Sequence, residues 1–195
     1  MKGASARRDA GVVVVGSSAG GLRALERILG DLPPGFPVPI VAVQHRSRES
    51  SDAYAEVIAS TTSLPVHDAE DDVPLSAPGV YVGPPDYHVL LEPGRISLSV
   101  DEPVSYSRPS IDILFESAAD TYGPRVVAVL LTGANEDGAR GLARVKAAGG
   151  YAIVQDPRTA ESPAMPSAAI ARAVIDRVLP LEEIAGELVR RTLAR

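Results

Sequence analysis

Three strongly apolar segments of the sequence, residues 12–15, 39–44 and 125–133, each lead into polar residues that could take part in catalysis. These polar residues are Ser17 and Ser18, then His45, and finally Asn135, Glu136 and Asp137. A serine, a histidine and a carboxylate are the parts of a nucleophile, a general base and a base-orienting acid. If the three segments are parallel strands of one sheet, their carboxyl ends lie at the same edge, and the polar residues meet there.

The turn after the first segment, Gly16-Ser17-Ser18-Ala19-Gly20, satisfies the pattern G-x-S-x-G. In this pattern a sharp turn between strand and helix exposes the central serine, so we expect Ser18 rather than Ser17 to be the nucleophile. Free N–H groups at the helix start could stabilise an oxyanion there. The turn could instead bind a phosphate or be purely structural, although it lacks the G-x-G-x-x-G and G-K-[ST] patterns of nucleotide sites.

The alternation of strand and helix patterns predicts an α/β fold with a doubly wound, mostly parallel sheet and helices on both faces. The apolar, β-branched run at residues 12–15 is typical of a strand that is buried on both faces. Between residues 74 and 104, short β segments separated by Pro-Pro and Pro-Gly predict an antiparallel β-hairpin insertion. We expect Ser110 to cap one helix, and Ser51 or Asp52 to cap another.

The length and composition of the chain limit which kinds of protein it can be. The 195 residues suffice for one α/β domain, and we expect a flexible tail over residues 1–10 and a single domain over residues 11–195. A formal charge of −6 argues against general nucleic-acid binding, and the sequence has no cysteine for a thiolate metal site or nucleophile. No apolar run approaches the ~20 residues of a membrane span, so we expect a cytoplasmic protein.

The other histidines and the acidic run are less suited to catalysis. We expect His67, beside the acidic segment 68–72, and His88, in the hairpin region, to have structural roles. We expect the acidic segment to be a solvated loop, because a metal site would need more ligands than His67 adds. The chain order serine, histidine, aspartate differs from the order serine, acid, histidine of α/β-hydrolases, which argues against that fold.

Six segments of the sequence resemble, in the same order, the catalytic domain of CheB-type chemotaxis protein-glutamate methylesterases. They are GSSAGGLRAL, VAVQH, YVGPPDYHVLL, RPSIDILFESAA, VVAVLLTGANEDGARGL and AMPSAAI, and they lie between residues 12 and 173. The resemblance implies a doubly wound α/β domain that removes methyl groups from glutamate methyl esters of chemoreceptors and, in some members, deamidates receptor glutamines. It implies the cytoplasmic domain of a methylated chemoreceptor, or a similar signalling protein, as partner, and a mechanism without metal or cofactor.

The resemblance also implies roles for individual residues. The serine nucleophile, histidine base and aspartate of the family fall on Ser18, His45 and Asp137, the residues that the strand ends indicate. The backbone that binds the oxyanion falls near Ala19 and Ala134. No receiver domain of the kind that usually precedes this domain is expected in the chain, so we expect a regulator to act in trans.

The sequence departs from the family pattern in two catalytic loops. The turn usually has Thr where this sequence has Ala19, and the loop TGMGxDG here reads TGANEDG, with Ala134 and Asn135 in place of Met and Gly. The altered loop motivates a second hypothesis, a catalytically silent domain that binds signalling partners. The glycine-rich turn motivates a third, a nucleotide or phosphate binder, against which the acidic composition argues. Arg108 is a candidate for orienting an acidic substrate or for a structural ion pair.

Overall fold

The computed structural model of the chain describes residues 11–46 and 53–193. The strands in these residues are β1 (Val12–Ser17), β2 (Ile40–Gln44), β3 (Val66–Asp68), β4 (Val80–Val82), β5 (His88–Glu92), β6 (Arg95–Ser99), β7 (Val126–Leu130), β8 (Tyr151–Gln155) and β9 (Arg177–Leu179). The α-helices are α1 (Gly21–Gly30), α2 (Tyr54–Ala59), α3 (Ile111–Tyr122), α4 (Ala139–Ala147), α5 (Ala164–Arg172) and α6 (Leu181–Leu193). The expected tail at residues 1–10 and the expected capping residues Ser51 and Asp52 lie outside the described residues.

Seven of these strands form one parallel sheet in the order β3-β4-β2-β1-β7-β8-β9. The central strand β1 has Val13 opposite Ile40 of β2 on one side and Val127 of β7 on the other. All of β1 is buried, because helices cover both faces of the sheet. The doubly wound, mostly parallel α/β fold predicted from the sequence is therefore confirmed.

The helices divide between the two faces, and the side chains of β1 alternate between two cores. Val14 packs in the same core as Leu114 of α3 and Met165 of α5. Val13 packs in the opposite core, with Leu25 of α1. No helix among the described residues combines the length and the apolar character needed to cross a membrane.

The predicted hairpin insertion is confirmed for β5 and β6, which pair with each other as an antiparallel ribbon. Leu91 of β5 lies opposite Ile96 of β6, and both are buried in the core that contains α3. Hydrogen bonds tie the ribbon to this helix, since the Thr121 hydroxyl donates to the carbonyl oxygen of Leu91 at 2.7 Å.

One part of the predicted insertion is wrong. Val80–Val82, expected among the antiparallel strands, forms β4 and pairs in parallel with β2 in the main sheet. All three residues are buried, which suits a strand covered on both faces better than a ribbon with one solvated face. The sequence analysis also does not predict the edge strands β3 and β9, whose residues are partly or largely exposed and form no apolar run.

The strand order brings three chain segments together at one edge of the sheet. Because β2, β1 and β7 are neighbours and parallel, the residues that follow their carboxyl ends lie side by side. These segments are the glycine-rich turn, the start of the β2–α2 connection and the β7–α4 loop, and they contain the serine, the histidine and the aspartate singled out above.

Candidate functional site

The glycine-rich turn places its two serines in different environments. Ser17 ends β1, is buried, and its hydroxyl donates a 2.6 Å hydrogen bond to Oε1 of Gln44. Ser18 lies partly exposed in a cleft of about 570 Å³, lined by the turn, the start of α1, His45 and Glu161. Ser18 is therefore the serine of the turn that a substrate can reach.

Gln44, the last residue of β2, holds this turn from the neighbouring strand. Its amide nitrogen donates to the carbonyl oxygen of Ser18 at 2.6 Å, while its Oε1 accepts from Ser17. Gly21 begins α1 beside this amide, and a Cβ there would collide with Oε1 of Gln44 and lie 2.6 Å from Oγ of Ser17. Position 21 requires glycine because Gln44 and Ser17 occupy the space of a side chain.

The β7–α4 loop lies against the turn from the other side. The Ser18 N–H donates to the carbonyl oxygen of Thr132 at 2.9 Å, and the Thr132 hydroxyl donates to the carbonyl oxygen of Ala19 at 2.8 Å. A Cβ built on Gly133 would lie 3.0 Å from Cβ of Ser18. The main chain of this loop therefore passes directly beside the serine.

His45 connects the cleft to Asp137. Its Nε2 lies 2.7 Å from Oδ2 of Asp137, whose side chain is fully buried, while the His45 side chain is 12% exposed. Because a carboxylate only accepts, Nε2 carries the shared proton and Nδ1 is the basic nitrogen of the neutral ring. Within the described ranges no hydrogen bond joins the Ser18 hydroxyl to this ring, a contact that in hydrolases without substrate is often long and tightens on binding.

The carboxylate of Asp137 is held by the first turn of α3. The main-chain N–H groups of Ile111 and Asp112 donate to it at 2.7 and 3.0 Å, and the Ser110 hydroxyl donates to it at 2.9 Å. Burial raises the pKa of Asp137, but the hydrogen bonds from His45 and these N–H groups outweigh burial and hold the pKa below its ordinary value. Asp137 is therefore charged at neutral pH and can orient His45.

Ser110 occupies the predicted N-cap position of α3, but its side chain accepts no hydrogen bond from the helix. Its hydroxyl donates to Oδ1 of Asp137 instead. The predicted cap is right in position and wrong in chemistry, because the carboxylate of Asp137 binds the N–H groups that the serine would have capped.

Asp112 has the corresponding role at the start of α4. Its Oδ1 accepts from the N–H groups of Gly138 and Gly141 at 2.9 and 2.7 Å, and its Oδ2 lies 3.6 Å from Nε of Arg140. The side chain is almost fully buried, and this burial raises the pKa of Asp112, with the Asp137 charge acting in the same direction. Asp112 thereby holds the loop that carries Asp137.

Two main-chain N–H groups near Ser18 are candidates for an oxyanion site. They belong to Ala19, directly after the serine, and to Ala134, in the adjacent β7–α4 loop. In the described part of the chain neither group donates a hydrogen bond. Asn135 follows in the same loop, and its Oδ1 accepts from the N–H of Asp137 at 3.2 Å. This asparagine, at the position where the resemblance implies glycine, thus braces the loop.

Arg108 lies in the wall of a second cleft beside His45, but its guanidinium is already engaged. Nε and one terminal nitrogen donate to Oδ1 of Asp86 at 3.0 and 2.7 Å, and the other terminal nitrogen donates to the carbonyl oxygens of Val100 and Asp101. This is the structural ion pair that the sequence analysis offered as the second role for Arg108. Little of its donor capacity is left for a substrate carboxylate.

The other histidines lie outside this cleft. His88 is buried, accepts from the Ser110 N–H at Nδ1 and lies 3.1 Å from the carbonyl oxygen of Glu102 at Nε2, so it links the ribbon to the start of α3. His67 is exposed, and its ring lies 5.4 Å from that of Tyr81.

The acidic segment 68–72 contacts the ribbon. Oδ1 of Asp71 accepts from the Leu98 N–H at 2.9 Å, and Oδ1 of Asp72 lies 2.7 Å from a terminal nitrogen of Arg95. Nowhere in the described ranges do three or more histidine or acidic side chains gather as they would around a metal ion.

Sequence reasoning missed Gln44 and Asp112, although each leaves a signal. Gln44 is a polar residue at the end of a strand that is buried on both faces, and a buried polar residue needs an internal partner. Asp112 is an acidic residue in the first turn of a predicted helix, which is usually read as a favourable dipole contact within that helix. The sequence does not show that its carboxylate binds the start of another helix.

Comparisons with known proteins agree with this geometry. A model of the CheB methylesterase family matches residues 13–188. A crystal structure of the Thermotoga maritima CheB methylesterase catalytic domain superposes with a TM-score of 0.88 at 35% sequence identity, covering 94% of this chain and 99% of that one.

Curated relatives show the same similarity over most of the chain. A protein of Leptospira interrogans, provisionally named protein-glutamate methylesterase/protein-glutamine glutaminase, is 44% identical over 91% of this chain and 93% of its own length. A protein of Anaeromyxobacter dehalogenans named for the same two activities is 42% identical over 94% of this chain. The protein-glutamate methylesterase FrzG of Myxococcus xanthus is 38% identical over 92% of this chain. The chain spans about half the length of the last two, 56% and 54%.

Proposed function

Because the chain belongs to the CheB methylesterase family and is a carboxylic ester hydrolase of the protein-glutamate methylesterase type, we propose that Ser18, His45 and Asp137 are its catalytic triad. The 2.7 Å contact between His45 and the buried carboxylate, next to an accessible serine, carries this proposal. A hydroxyl and an imidazole in one cleft, with a charged acid buried behind the imidazole, are the groups that acyl transfer to serine needs. Family membership does not favour the alternative of a catalytically silent binding domain.

In the first half of the proposed reaction, Nδ1 of His45 takes the proton of the Ser18 hydroxyl as Oγ attacks the ester carbonyl carbon. The charged Asp137 stabilises the imidazolium that forms. The negative charge on the former carbonyl oxygen is bound by the N–H groups of Ala19 and Ala134, each worth roughly 3–4 kcal/mol in the transition state. Collapse of this intermediate breaks the bond to methoxide, which leaves as methanol with the proton from His45.

In the second half, a water molecule attacks the glutamyl ester of Ser18. His45 takes a proton from this water and returns it to Oγ of Ser18 as the acyl bond breaks. The products are the free glutamate side chain of the substrate and the regenerated hydroxyl. Every proton moves between His45 and an oxygen atom, so these steps use only groups of this chain and water.

The substrate we propose is a glutamyl methyl ester on the cytoplasmic domain of a methylated chemoreceptor or a similar signalling protein, which places the reaction in the cytoplasm. The names of relatives that are 38–44% identical support a glutamyl methyl ester of a protein as the substrate. The open position of Ser18 at the carboxyl edge of the sheet fits a substrate that is itself a protein. Regulation in trans remains part of the proposal.

A second activity on the same site, hydrolysis of receptor glutamine side chains, is supported by the names of the Leptospira and Anaeromyxobacter relatives. The chemistry differs in the leaving group, because the proton from His45 goes to the amide nitrogen, which leaves as ammonia, in place of the methoxide oxygen. Ammonia release from unmethylated receptor membranes, compared between the wild type and Ser18→Ala, tests this activity.

Methanol release from methylated receptor membranes tests the main proposal. The wild type should release methanol, and Ser18→Ala should release none while keeping its thermal unfolding temperature. A fluorophosphonate probe should label the wild type at Ser18. Ser17→Ala should still be labelled there, since Ser17 supports the turn without reaching the cleft. Full activity of Ser18→Ala, or labelling of another residue, would refute the proposed triad.

A further inference from the structure

A second cleft, of about 390 Å³, continues from the catalytic cleft. His45 lines both clefts, so the catalytic histidine stands at their junction. Pro103, Tyr106 and Arg108 also line the second cleft. Only two methylene groups separate the carbonyl of a glutamyl ester from the main chain of its protein. A protein substrate that delivers this ester to Ser18 must therefore contact the surface around the clefts.

Arg108 assembles the rim of the second cleft from three chain segments. It binds the side chain of Asp86 and the carbonyl oxygens of Val100 and Asp101, while its own segment contains Tyr106. Four of the five guanidinium N–H groups donate in these contacts, so the guanidinium of Arg108 holds the three segments of the rim together. Each segment also carries one exposed large hydrophobic residue.

These three exposed residues, Tyr87, Val100 and Tyr106, are here called the Tyr106 surface. Tyr87 directly follows Asp86, and Val100 provides a carbonyl oxygen to Arg108, so both lie close to the guanidinium. The Tyr106 side chain is fully exposed. Two of the three residues are tyrosines, and aromatic residues are enriched where proteins bind each other.

The backbone beneath this surface is held in an unfavourable conformation. Val104 and Ser107 exchange both main-chain hydrogen bonds, at 3.1 and 2.9 Å, and close a two-residue turn over Ser105 and Tyr106. These two residues have φ of 52° and 62°, and Asp86 has φ of 64°. A two-residue turn with positive φ at both positions favours Asn-Gly, so a Ser-Tyr sequence is costly there. Such costs cluster at functional sites.

We propose that the Tyr106 surface docks the segment of the protein substrate next to the esterified glutamate, with an apolar side chain of that segment seated against Tyr106. The proposal rests on the proposed methylesterase function. The continuity of the second cleft with the catalytic cleft through His45 favours the substrate over other occupants. Arg108 positions this surface and does not itself bind the ester.

Kinetics with two substrates test the proposal in the full chain. Tyr106→Gly removes the ring and also suits the positive φ, so its unfolding temperature should be unchanged or raised. The ratio of kcat/KM on methylated receptor membranes to kcat/KM on 4-nitrophenyl acetate should fall roughly tenfold, mainly through KM on receptors. Tyr106→Phe should restore the wild-type ratio, because it keeps the ring. Val174→Ala is the matched control, since Val174 is exposed in the α5–β9 connection, at the opposite edge of the sheet.

Three results would overturn the docking proposal. First, Tyr106→Gly could keep both the wild-type ratio and the wild-type turnover of each substrate. Second, turnover of both substrates could fall by the same factor, which would leave the ratio unchanged and mean that the loop supports His45. Light scattering could show that Tyr106→Gly alters the oligomeric state at an unchanged ratio, which would assign the surface to a second copy of the chain. Failure of the proposed function is distinguishable, because the wild type itself would then release no methanol, and the docking proposal would fall with it.

Discussion

Asp112 lies in the first turn of α3 and binds the start of α4, while Asp137 lies just before α4 and binds the start of α3. The carboxylate of Asp137 accepts from the first N–H groups of α3, and the carboxylate of Asp112 accepts from Gly138 and Gly141 at the start of α4. The two helices are thereby fixed to each other next to Asp137, the proposed catalytic acid. Because Asp137 is oriented by main-chain groups, its position depends little on the rotamers of flexible side chains.

Asp137→Asn should lower kcat for methyl esters by roughly 10³- to 10⁴-fold, with KM nearly unchanged. An amide can present a donor to Nε2 of His45, which favours the wrong tautomer of the ring and removes the charge that stabilises the imidazolium. Steady-state methanol release measures both constants. A loss confined to KM would show that Asp137 acts in binding.

The same variant should change the stability of the protein in acid. The pKa of Asp137 is lowered in the folded protein, so its carboxylate stabilises the fold above the unfolded-state pKa of about 3.9, and this stability is lost as the pH falls through the lower folded pKa. Urea unfolding between about pH 2 and pH 5 should therefore depend less on pH in Asp137→Asn. Asp120→Asn, which makes the same substitution at an exposed site on α3, is the control.

Asp112 should behave in the opposite way with pH. Burial raises its pKa, so the cost of keeping it charged appears as the pH rises from about 3.9 through the folded pKa. Asp112→Asn keeps an oxygen for Gly138 and Gly141 and carries no charge, so its stability relative to the wild type should improve between pH 4 and pH 7.

Asp112→Ala is the informative comparison, because it leaves the buried Gly141 N–H without its side-chain acceptor and the Gly138 N–H with Asp137 alone, at 3.1 Å. It should cost about 1–3 kcal/mol of unfolding free energy at pH 7 and lower kcat through the displaced β7–α4 loop. Chemical denaturation of Asp112→Asn and Asp112→Ala at pH 4 and at pH 7 measures the changes in unfolding free energy. Equal losses in Asp112→Asn and Asp112→Ala would mean that the charge itself, through Arg140, holds the loop.

Gly21→Ala should damage both stability and turnover, because the added Cβ collides with Gln44 and displaces the serine turn. The expected cost is about 1–3 kcal/mol of unfolding free energy, typical of overpacking in a tight site. Gly186→Ala is the matched control on α6, where the nearest atom to a Cβ is the end of Arg190 at 3.5 Å. Helix propensity should make that control more stable by up to about 1 kcal/mol. Thermal unfolding and ester hydrolysis are measured for both variants. A similar loss in Gly186→Ala would mean that the collision with Gln44 is not the cause of the damage.

The sequence predicts the central sheet well because its strands are uniformly apolar. Val12–Ser17 and Val126–Leu130 are buried on both faces, and such runs leave few alternatives to a parallel central strand. The edge strands β3 and β9 are short and partly exposed, so they give no pattern of their own and form only because a neighbour offers free hydrogen-bonding groups. Val80–Val82 shows that proximity to a hairpin in sequence does not decide which sheet a strand joins.

The sequence predicts the three principal residues of the candidate site but not the contacts that hold them in place. Ser18, His45 and Asp137 each follow a recognisable strand, so the rule for the carboxyl edge of a parallel sheet brings them together. The role of Ser110 is not predictable, because the competing cap comes from Asp137, which lies 27 residues further along the chain. Contacts of this kind depend on the packing of α3 against α4, which no local pattern encodes.

Replacing Ala134 tests whether its main-chain N–H binds the oxyanion. Ala134→Pro deletes this N–H and should lower kcat by about 10²- to 10³-fold while changing KM much less, because the donor acts mainly in the transition state. Ala134→Met places the residue of the family pattern at the same position, keeps the N–H, and has room because Ala134 is exposed. Methionine should therefore give nearly wild-type turnover. Thermal unfolding shows whether proline disturbs the loop as a whole, and equal loss of turnover in both variants at wild-type stability would remove Ala134 from the oxyanion site.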